Sequence, residues 1–435
     1  MHPLEKIIKE NKSAHNCGIY SCCSANGFVL RAALERAAET GSYLLVEATA
    51  NQVDQYGGYT GMTPANFRDY VCGMAKKCGL PQERLILGGD HLGPLTFSSL
   101  PEAEAMEKAE ELVRCYVLAG FTKIHLDTSM KLGSDDKKAP LPSSVAAARG
   151  ARLCSVCEQA LSRRLEADPS AMETVYIVGS EVPIPGGAQE AEDTISVTKK
   201  SSALETIAAY KKCFEENGLE KAWSRVIGLV VQPGVEFGDS SVFEYDHMEA
   251  AELCTALSAN SQMTFEAHST DYQTKEGLRE LVQDGFSILK VGPALTFALR
   301  EALFSLDMME AEMSKLYGFT SSCFRETLEA EMLSDAGSWK RHYFGSVAEI
   351  DFKLAYSFSD RARYYLPNAR VAAAQNKMLQ NMCEHSIPLS LLSQYMPMQY
   401  TMVREKRLKN DPGELIKSRI KSCIDEYLFA TGVLA

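Results

Sequence analysis

The sequence has no run of about 18 consecutive apolar residues, so no membrane-spanning helix is expected. Its opening stretch, MHPLEKIIKENKSAHN, lacks the apolar centre of a leader peptide, and a cytoplasmic location is expected. Positive charge is in deficit. Lys and Arg number 45 against 57 Asp and Glu, a formal net charge of -12. A broad nucleic-acid surface, which needs a basic stripe, is therefore disfavoured. A few local donors would still suffice for a phosphorylated small molecule. Two nucleotide signatures are also missing. No G-x-G-x-x-G follows the first β-rich run, which argues against an open dinucleotide-binding sheet. No G-x-x-x-x-G-K-[ST] and no kinase glycine loop with its Lys and Asp partners is present, which argues against phosphoryl transfer from a nucleotide. The 13 cysteines are an odd number scattered through helix-like and strand-like text, unlike a disulfide framework. Cys154 and Cys157, at helical spacing and without a second half, read as two buried thiols.

What is present is enough apolar residue, 46%, to bury a large core. The first two-thirds alternates short β-rich runs with amphipathic stretches, the pattern of a parallel sheet with crossover helices. Eight strands are expected: Gly18–Ser24, Tyr43–Ala48, Leu85–Gly89, Lys123–Asp127, Val175–Gly179, Val226–Val231, Thr264–His268 and Ile288–Val291. Between them, segments such as Pro101–Ala119 repeat apolar residues at helical spacing (Ala105, Ala109, Leu112, Val113, Tyr116). Eight strands and seven connecting helices give an α/β fold, a closed (β/α)8 TIM barrel, over residues 1–295. Residues 296–435 read as a helical extension packed on the barrel, with helices over Phe297–Leu316, Ser321–Ser334, Arg370–Cys383 and Glu414–Thr431. Its Met and aromatic stripes suit core packing or a homo-oligomer contact. Ser134–Pro142, charged and Pro-containing, reads as a mobile lid.

Reactive groups of such a barrel sit where strands end. Here those ends are polar one after another: Glu47, then Asp90 and His91, His125 and Asp127, Glu181, Gln232 and Glu236, Glu266 with His268 and Asp271, and Lys290. A single one is ordinary. A whole rim of them is costly without a purpose, because unpaired buried charge is expensive. For His91 and His268 the functional reading outweighs the packing one, whereas His125, Glu47 and Glu266 are balanced between function and bracing. Two imidazoles with carboxylates suit a divalent cation, Zn2+ first, with Mn2+, Co2+, Ni2+ or Mg2+ also compatible. Such an ion polarises a carbonyl while a nearby carboxylate moves a proton. The chemistry indicated is aldol cleavage, epimerisation or isomerisation of a polyol. Lys290 as a Schiff base is the minor alternative. Ser269, Thr270 and Gly292, ahead of a helix, are placed like a phosphate cradle. Arg300, Arg361 and Arg363 are further donors, Arg300 more naturally in a salt bridge.

The motifs VEATANQVDQYGGYTGMTP, GGDHLGP, KIHLDTSM, GSEVPIPGG, VVQPGVEF, EAHSTDYQT and ILKVGPALTFALRE, with SDRARYY and SQYMP in the tail, resemble the GatZ/KbaZ family over nearly the whole chain. The resemblance implies a relation to class II aldolases, whose barrels hold zinc through histidines after the third, sixth and seventh strands. His91 and His268 match the first and last of these, and Asp90 matches the acid/base. Gln232 stands at the middle position, so either Glu181 or Asp127 replaces that ligand, with Gln232 itself a further candidate, or the site binds metal weakly or not at all. Two functions follow from the family. One is a 4-epimerase interconverting D-tagatose 6-phosphate and D-fructose 6-phosphate. The other is a non-catalytic subunit stabilising a separate class II D-tagatose-1,6-bisphosphate aldolase chain. In the epimerase reading Asp90, Asp127 and Glu181 are catalytic, and His91, Glu181, Gln232 and His268 bind metal. Glu47, Gln52, Ser269, Thr270, Asp271, Lys290, Gly292 and Arg361 then contact the sugar or its phosphate.

Overall fold

Each β-rich run becomes a strand in the computed structural model, which describes residues 1–182 and 195–435. The strands are β1 (Ile19–Cys22), β2 (Leu44–Thr49), β3 (Leu85–Leu92), β4 (Lys123–Leu126), β5 (Val175–Gly179), β6 (Val226–Val231), β7 (Thr264–Ala267) and β8 (Ile288–Val291). Neighbours pair in parallel in sequence order, and β1 pairs with β8 through Ile19–Ile288 to Cys22–Val291, closing the barrel. The helices that follow β1, β2, β6 and β7 start at side-chain caps, Asn26, Thr63, Asp246 and Thr274. After β2, for example, Thr63 and Asn66 form a capping box around Pro64, and Gly79 ends the Pro64–Cys78 helix in the left-handed region. Cys154 and Cys157 are indeed buried, unpaired thiols on the Ser143–Ala167 helix.

Three features differ from the sequence reading. The eighth barrel helix does not follow β8 directly. The helix after β8, Pro293–Tyr317, packs on the outside of Pro412–Ala430. That last helix lies between Gly27–Thr40 and Lys275–Gln283 and contacts β1. The Gly18 N–H donates to the Thr431 carbonyl at 3.2 Å, and Arg279 donates to the Phe429 carbonyl at 2.9 Å. A boundary at 295/296 therefore falls inside one helix, and the chain's final helix is part of the barrel wall.

Second, an N-terminal helix, Pro3–Ala14, closes the lower end. His2 caps it, with its ring accepting the Leu4 N–H. Leu4 and Ile8 join an apolar cluster with Ile19, Leu45, Ile86, Val175, Ile177, Ile227 and Ile288. Full burial of each such side chain contributes about 2 kcal/mol. Third, the connection after β6 forms a two-stranded hairpin, Glu236–Phe237 with Val242–Phe243. The tail docks on it: the Phe358 N–H donates to the Asp239 carbonyl at 2.8 Å, and the Tyr272 hydroxyl donates to the Phe358 carbonyl at 2.6 Å. This docking brings the turn Arg361–Tyr364 to the upper mouth of the barrel. The expected lid segment is tied down, since Arg149 pairs with Asp135 at 2.7 Å. Among the described residues no helix is long and apolar enough to cross a membrane.

Candidate active site

β4 reads KIHL with Asp127 directly after it, and alternation turns Lys123, His125 and Asp127 to one face, the barrel interior. Lys123 is fully buried between two fully buried carboxylates, 2.5 Å from Glu47 Oε1 and 2.6 Å from Glu266 Oε2. The Lys290 ammonium sits against Glu47 Oε2 and 2.9 Å from Asp90 Oδ1. Burial pulls Lys290 down to about 8, which leaves it protonated at neutral pH. Its charge makes it a poor Schiff-base nucleophile there. The Ser21 hydroxyl donates to Glu47 Oε2 at 2.8 Å. Gly88 is required beside this network, because a Cβ there would collide with the Glu47 carboxylate. Burial raises Glu266, but Lys123 and His268 outweigh it and bring the carboxyl to about 2.

Above the network three imidazoles meet. The His91, His125 and His268 ring centroids lie 4.8, 5.1 and 5.2 Å apart pairwise. Each ring has one nitrogen against a carboxylate: His91 Nδ1 is 2.8 Å from Asp127, His125 Nδ1 is 3.0 Å from Asp90, and His268 Nε2 is 3.0 Å from Glu266. A carboxylate on one nitrogen fixes the ring and leaves the other nitrogen's lone pair for a metal. His125 Nε2 is buried with no hydrogen-bond partner among the described residues. One ligand atom from each of Asp90, His91, His125 and His268 lies within 4.8 Å of the other three. Burial lowers His91, yet Asp90 and Asp127 raise it overall. Burial lowers His268 despite Glu266. Asp90 and Asp127 are held well below the usual carboxylate range by these histidines, against the effect of burial. Four carboxylates (Glu47, Asp90, Asp127, Glu266) thus face two ammonium groups, so with neutral imidazoles the cluster is two charges negative. That excess and the mixed N/O donors fit a divalent transition cation better than Mg2+, which prefers an all-oxygen shell. His91 and Ser269 hold left-handed backbone, φ 50° and 53°, a strain that clusters at functional sites.

The cluster opens on a cavity of about 830 Å³. Asp90, His91, His268 and Lys290 line it, with Cys23 and Gln52 from the first two strand ends, Ser269, Asp271 and Gly292 from the last two, and Arg363 from the tail. Gln52 bridges the loops, accepting the Thr49 N–H at 3.0 Å and donating to the Cys23 carbonyl at 3.2 Å.

Several expected assignments change. Asp127, expected to exchange a proton with substrate, does not line the cavity; its oxygens take His91 Nδ1 and the N–H and hydroxyl of Ser129. Glu47, expected at the sugar, is fully buried and holds the two lysines. Glu181 is exposed and outside the cluster, and the PIPGG that follows it lies outside the described residues. Gln232 Oε1 accepts the Gly234 and Val235 N–H groups at 2.8 and 3.0 Å, which commits it to a turn. His125 is the third imidazole in its place. Thr270 donates to the Lys290 carbonyl at 2.6 Å and is fully buried. Arg361 faces His342 rather than the cavity. Cys23 and Lys123 were not singled out; alternation along KIHLD was the signal available for Lys123.

The family model described as D-tagatose-1,6-bisphosphate aldolase subunit GatZ/KbaZ-like matches residues 4–432. A crystal structure of a probable tagatose 6 phosphate kinase from Sinorhizobium meliloti 1021 is 42% identical, with 95% of this chain and 100% of that chain covered and a TM-score of 0.85. The YdjI aldolase from Escherichia coli K12 is 10% identical over 88% of this chain and 96% of its own, with a TM-score of 0.42. A fructose-bisphosphate aldolase from Campylobacter jejuni is 14% identical over 87% and 91%, with a TM-score of 0.42.

Proposed function

The chain belongs to the GatZ/KbaZ-like family, and from that premise we propose that it is a metal-dependent 4-epimerase of ketohexose phosphates, interconverting D-tagatose 6-phosphate and D-fructose 6-phosphate. The observation that carries the reading is the meeting of His91, His125, His268 and Asp90 within ligand distance of one ion at a cavity. C4 of a 2-ketohexose is β to the carbonyl, so enolisation cannot invert it. Breaking and remaking the C3–C4 bond can. The cation, when bound, stabilises negative charge on the substrate's carbonyl oxygen.

Asp90 is the base. Its Oδ1 is held by His125 and Lys290, while Oδ2, with only long contacts to the Cys23 thiol at 3.9 Å and His91 Nε2 at 3.8 Å, is the oxygen we assign to the proton. Oδ2 takes the 4-hydroxyl proton as the C3–C4 electron pair moves toward C2 and its oxygen, leaving an aldehyde at C4. The cavity retains both fragments while the aldehyde presents its other face. The bond re-forms and Asp90 returns the proton to the 4-oxygen. Lys290, cationic and lining the cavity, orients a substrate oxygen. Asp127 and Glu266 keep the His91 and His268 rings in place. The sequence has no G-x-x-x-x-G-K-[ST] loop to cradle a nucleotide's phosphates, which disfavours phosphoryl transfer from a nucleotide.

A second reading, an accessory subunit of a class II tagatose-bisphosphate aldolase, is supported by the family's own description. Exposed Phe344, Val347, Phe352 and Tyr356 on the tail support a subunit contact, which we assign to a homo-oligomer. The test is the purified chain alone, loaded in turn with Zn2+, Mn2+, Co2+, Ni2+ or Mg2+, incubated with fructose 6-phosphate. Tagatose 6-phosphate is expected to accumulate, and His268→Ala to slow it at least about 100-fold. No conversion by the chain alone, with bisphosphate cleavage enhanced when it is added to an aldolase chain, overturns the epimerase in favour of the subunit.

A further inference from the structure

The phosphate cradle expected after β7 and β8 is already filled by the protein. Asp271 Oδ1 accepts the Gly292 N–H at 3.0 Å and the Ala294 N–H at 2.8 Å, at the start of the Pro293–Tyr317 helix. The Thr270 hydroxyl is spent on the Lys290 carbonyl. A phosphate there would have to displace a carboxylate or lie against its charge.

A different wall of the same cavity carries positive charge that no direct ion pair takes up among the described residues. Arg363 lines it, and among the described residues no carboxylate pairs with this guanidinium. Its named hydrogen bonds go to neutral acceptors: the Ser359 carbonyl, the Asp360 carbonyl at 2.9 Å and the Tyr364 hydroxyl at 3.2 Å. Arg361, 5% exposed, is bonded to His342 Nδ1 at 3.0 Å, and its Nε has no hydrogen-bond partner among the described residues. The nearby Asp360 carboxylate is taken by the Thr296 hydroxyl at 2.5 Å and faces Arg300 at 3.6 Å. Two guanidiniums in one turn, Arg361 buried and Arg363 half-buried at the cavity wall, have no ion-pair partner among the described residues and suit an external anion. The Tyr364 phenol reports the local field: burial would raise it, but Arg363 and Arg361 lower it overall. Tyr59, from the loop after β2, lines the cavity edge-on to Tyr364 with ring centroids 4.8 Å apart.

We propose that the phosphate monoester of the sugar binds at Arg363, between the Tyr59 and Tyr364 hydroxyls, and not at the amides after β8. The proposal rests on the reading of the cavity as a sugar-phosphate site. It makes the tail the element that selects phosphorylated over free ketohexose, with the barrel holding the reacting carbons.

The test is calorimetric binding to the metal-loaded full chain of three probes: fructose 6-phosphate, inorganic phosphate and fructose. Arg363→Gln is expected to weaken fructose 6-phosphate and phosphate about 10- to 100-fold and fructose less than about 3-fold. Arg363→Lys, which keeps charge but loses the fork, should be intermediate and decides the matter if the Gln variant fails to fold. Ser269→Ala should change no probe more than about 3-fold. Equal weakening of all three probes by both Arg363 variants, or a selective loss with Ser269→Ala instead, overturns the assignment. Wild-type protein that binds free phosphate and fructose but gains nothing from their linkage in one molecule also overturns it. Because binding is read without turnover, a chain that binds fructose 6-phosphate at Arg363 without converting it sinks the epimerase and leaves the anion seat standing.

Discussion

At the lower end of the barrel Ile19, Leu45 and Ile288 pack against Leu4 and Ile8. Two residues further along the same strands stand Ser21, Glu47 and Lys290, in the ionic network. The inward face is one continuous surface in each strand. Its lower layer gains stability from area removed from water, and any well-packed apolar residue of similar size would serve. Its upper layer is the opposite. Glu47, Lys123 and Glu266 are completely buried, where ions cost several kcal/mol each before pairing repays it. An apolar layer of similar volume would be as stable or more so. The charged layer is explained by what it holds: three imidazoles, each fixed by a carboxylate on one ring nitrogen.

The strongest way to break this comparison is Lys123→Met. It takes one of two lysines from buried Glu47 and the nearest ammonium from buried Glu266, and should cost about 3–5 kcal/mol in urea or guanidinium unfolding. Neutralising Glu47 and Glu266 as well, as Gln, should recover much of that while metal content stays low. If Lys123→Met alone costs less than about 1 kcal/mol, the upper layer is not held by charge. Leu4→Ala is the counterpart below. It should cost about 2–4 kcal/mol, since the N-terminal helix cannot fully refill the space. Metal stoichiometry of the folded protein should stay at the wild-type value. A proportional fall in bound metal would mean that the two ends are one unit.

The two ends were unequally legible. All eight strands were readable because β-branched runs bounded by Gly, Pro and polar residues carry their own signal. The seven connecting helices were readable from periodicity. The plug made by Leu4 and Ile8 was not, because an amphipathic helix does not state which surface it covers. Nor was the return of Pro412–Ala430 to the barrel wall, a long-range choice made by packing against Gly27–Thr40 and Lys275–Gln283. At the site, His91, His268 and Asp90 could be recognised from their place at strand ends. Lys123 could not, because a lysine opening a strand ordinarily points to water. Gln232 and Glu181 were named around the rim in strand order, whereas the third imidazole of the cluster is His125, from β4.

Asp127→Asn sharpens the comparison within the upper layer. In the structure this carboxylate orients His91 and does not reach the cavity. The variant should lose about 10- to 100-fold in metal affinity, with its circular dichroism unchanged. Turnover should return toward wild type at saturating metal. If turnover stays lost when the metal site is full, Asp127 carries the proton after all.

The smallest effect separates the two ends by acid. Burial lowers His2, the cap of the lower helix, to about 4, below the ordinary histidine value of 6.5. Above pH 6.5 the ring is neutral in both folded and unfolded chains and adds no slope. Between 6.5 and 4 only the unfolded chain takes the proton, so stability falls by about 1 kcal/mol per pH unit. His91 runs the other way in the metal-free protein. Its folded value lies above 6.5, so its contribution is fully present below 6.5 and is lost as pH rises through the folded value. Protons then compete with metal for His91, and metal binding weakens on acidification. His2→Asn keeps a side-chain cap and removes the titration. Urea midpoints of the metal-free protein from pH 8 to 5 should show the acid-side loss in wild type reduced in His2→Asn and steepened in His91→Gln. Identical pH profiles for all three would mean that neither ring changes its protonation on unfolding.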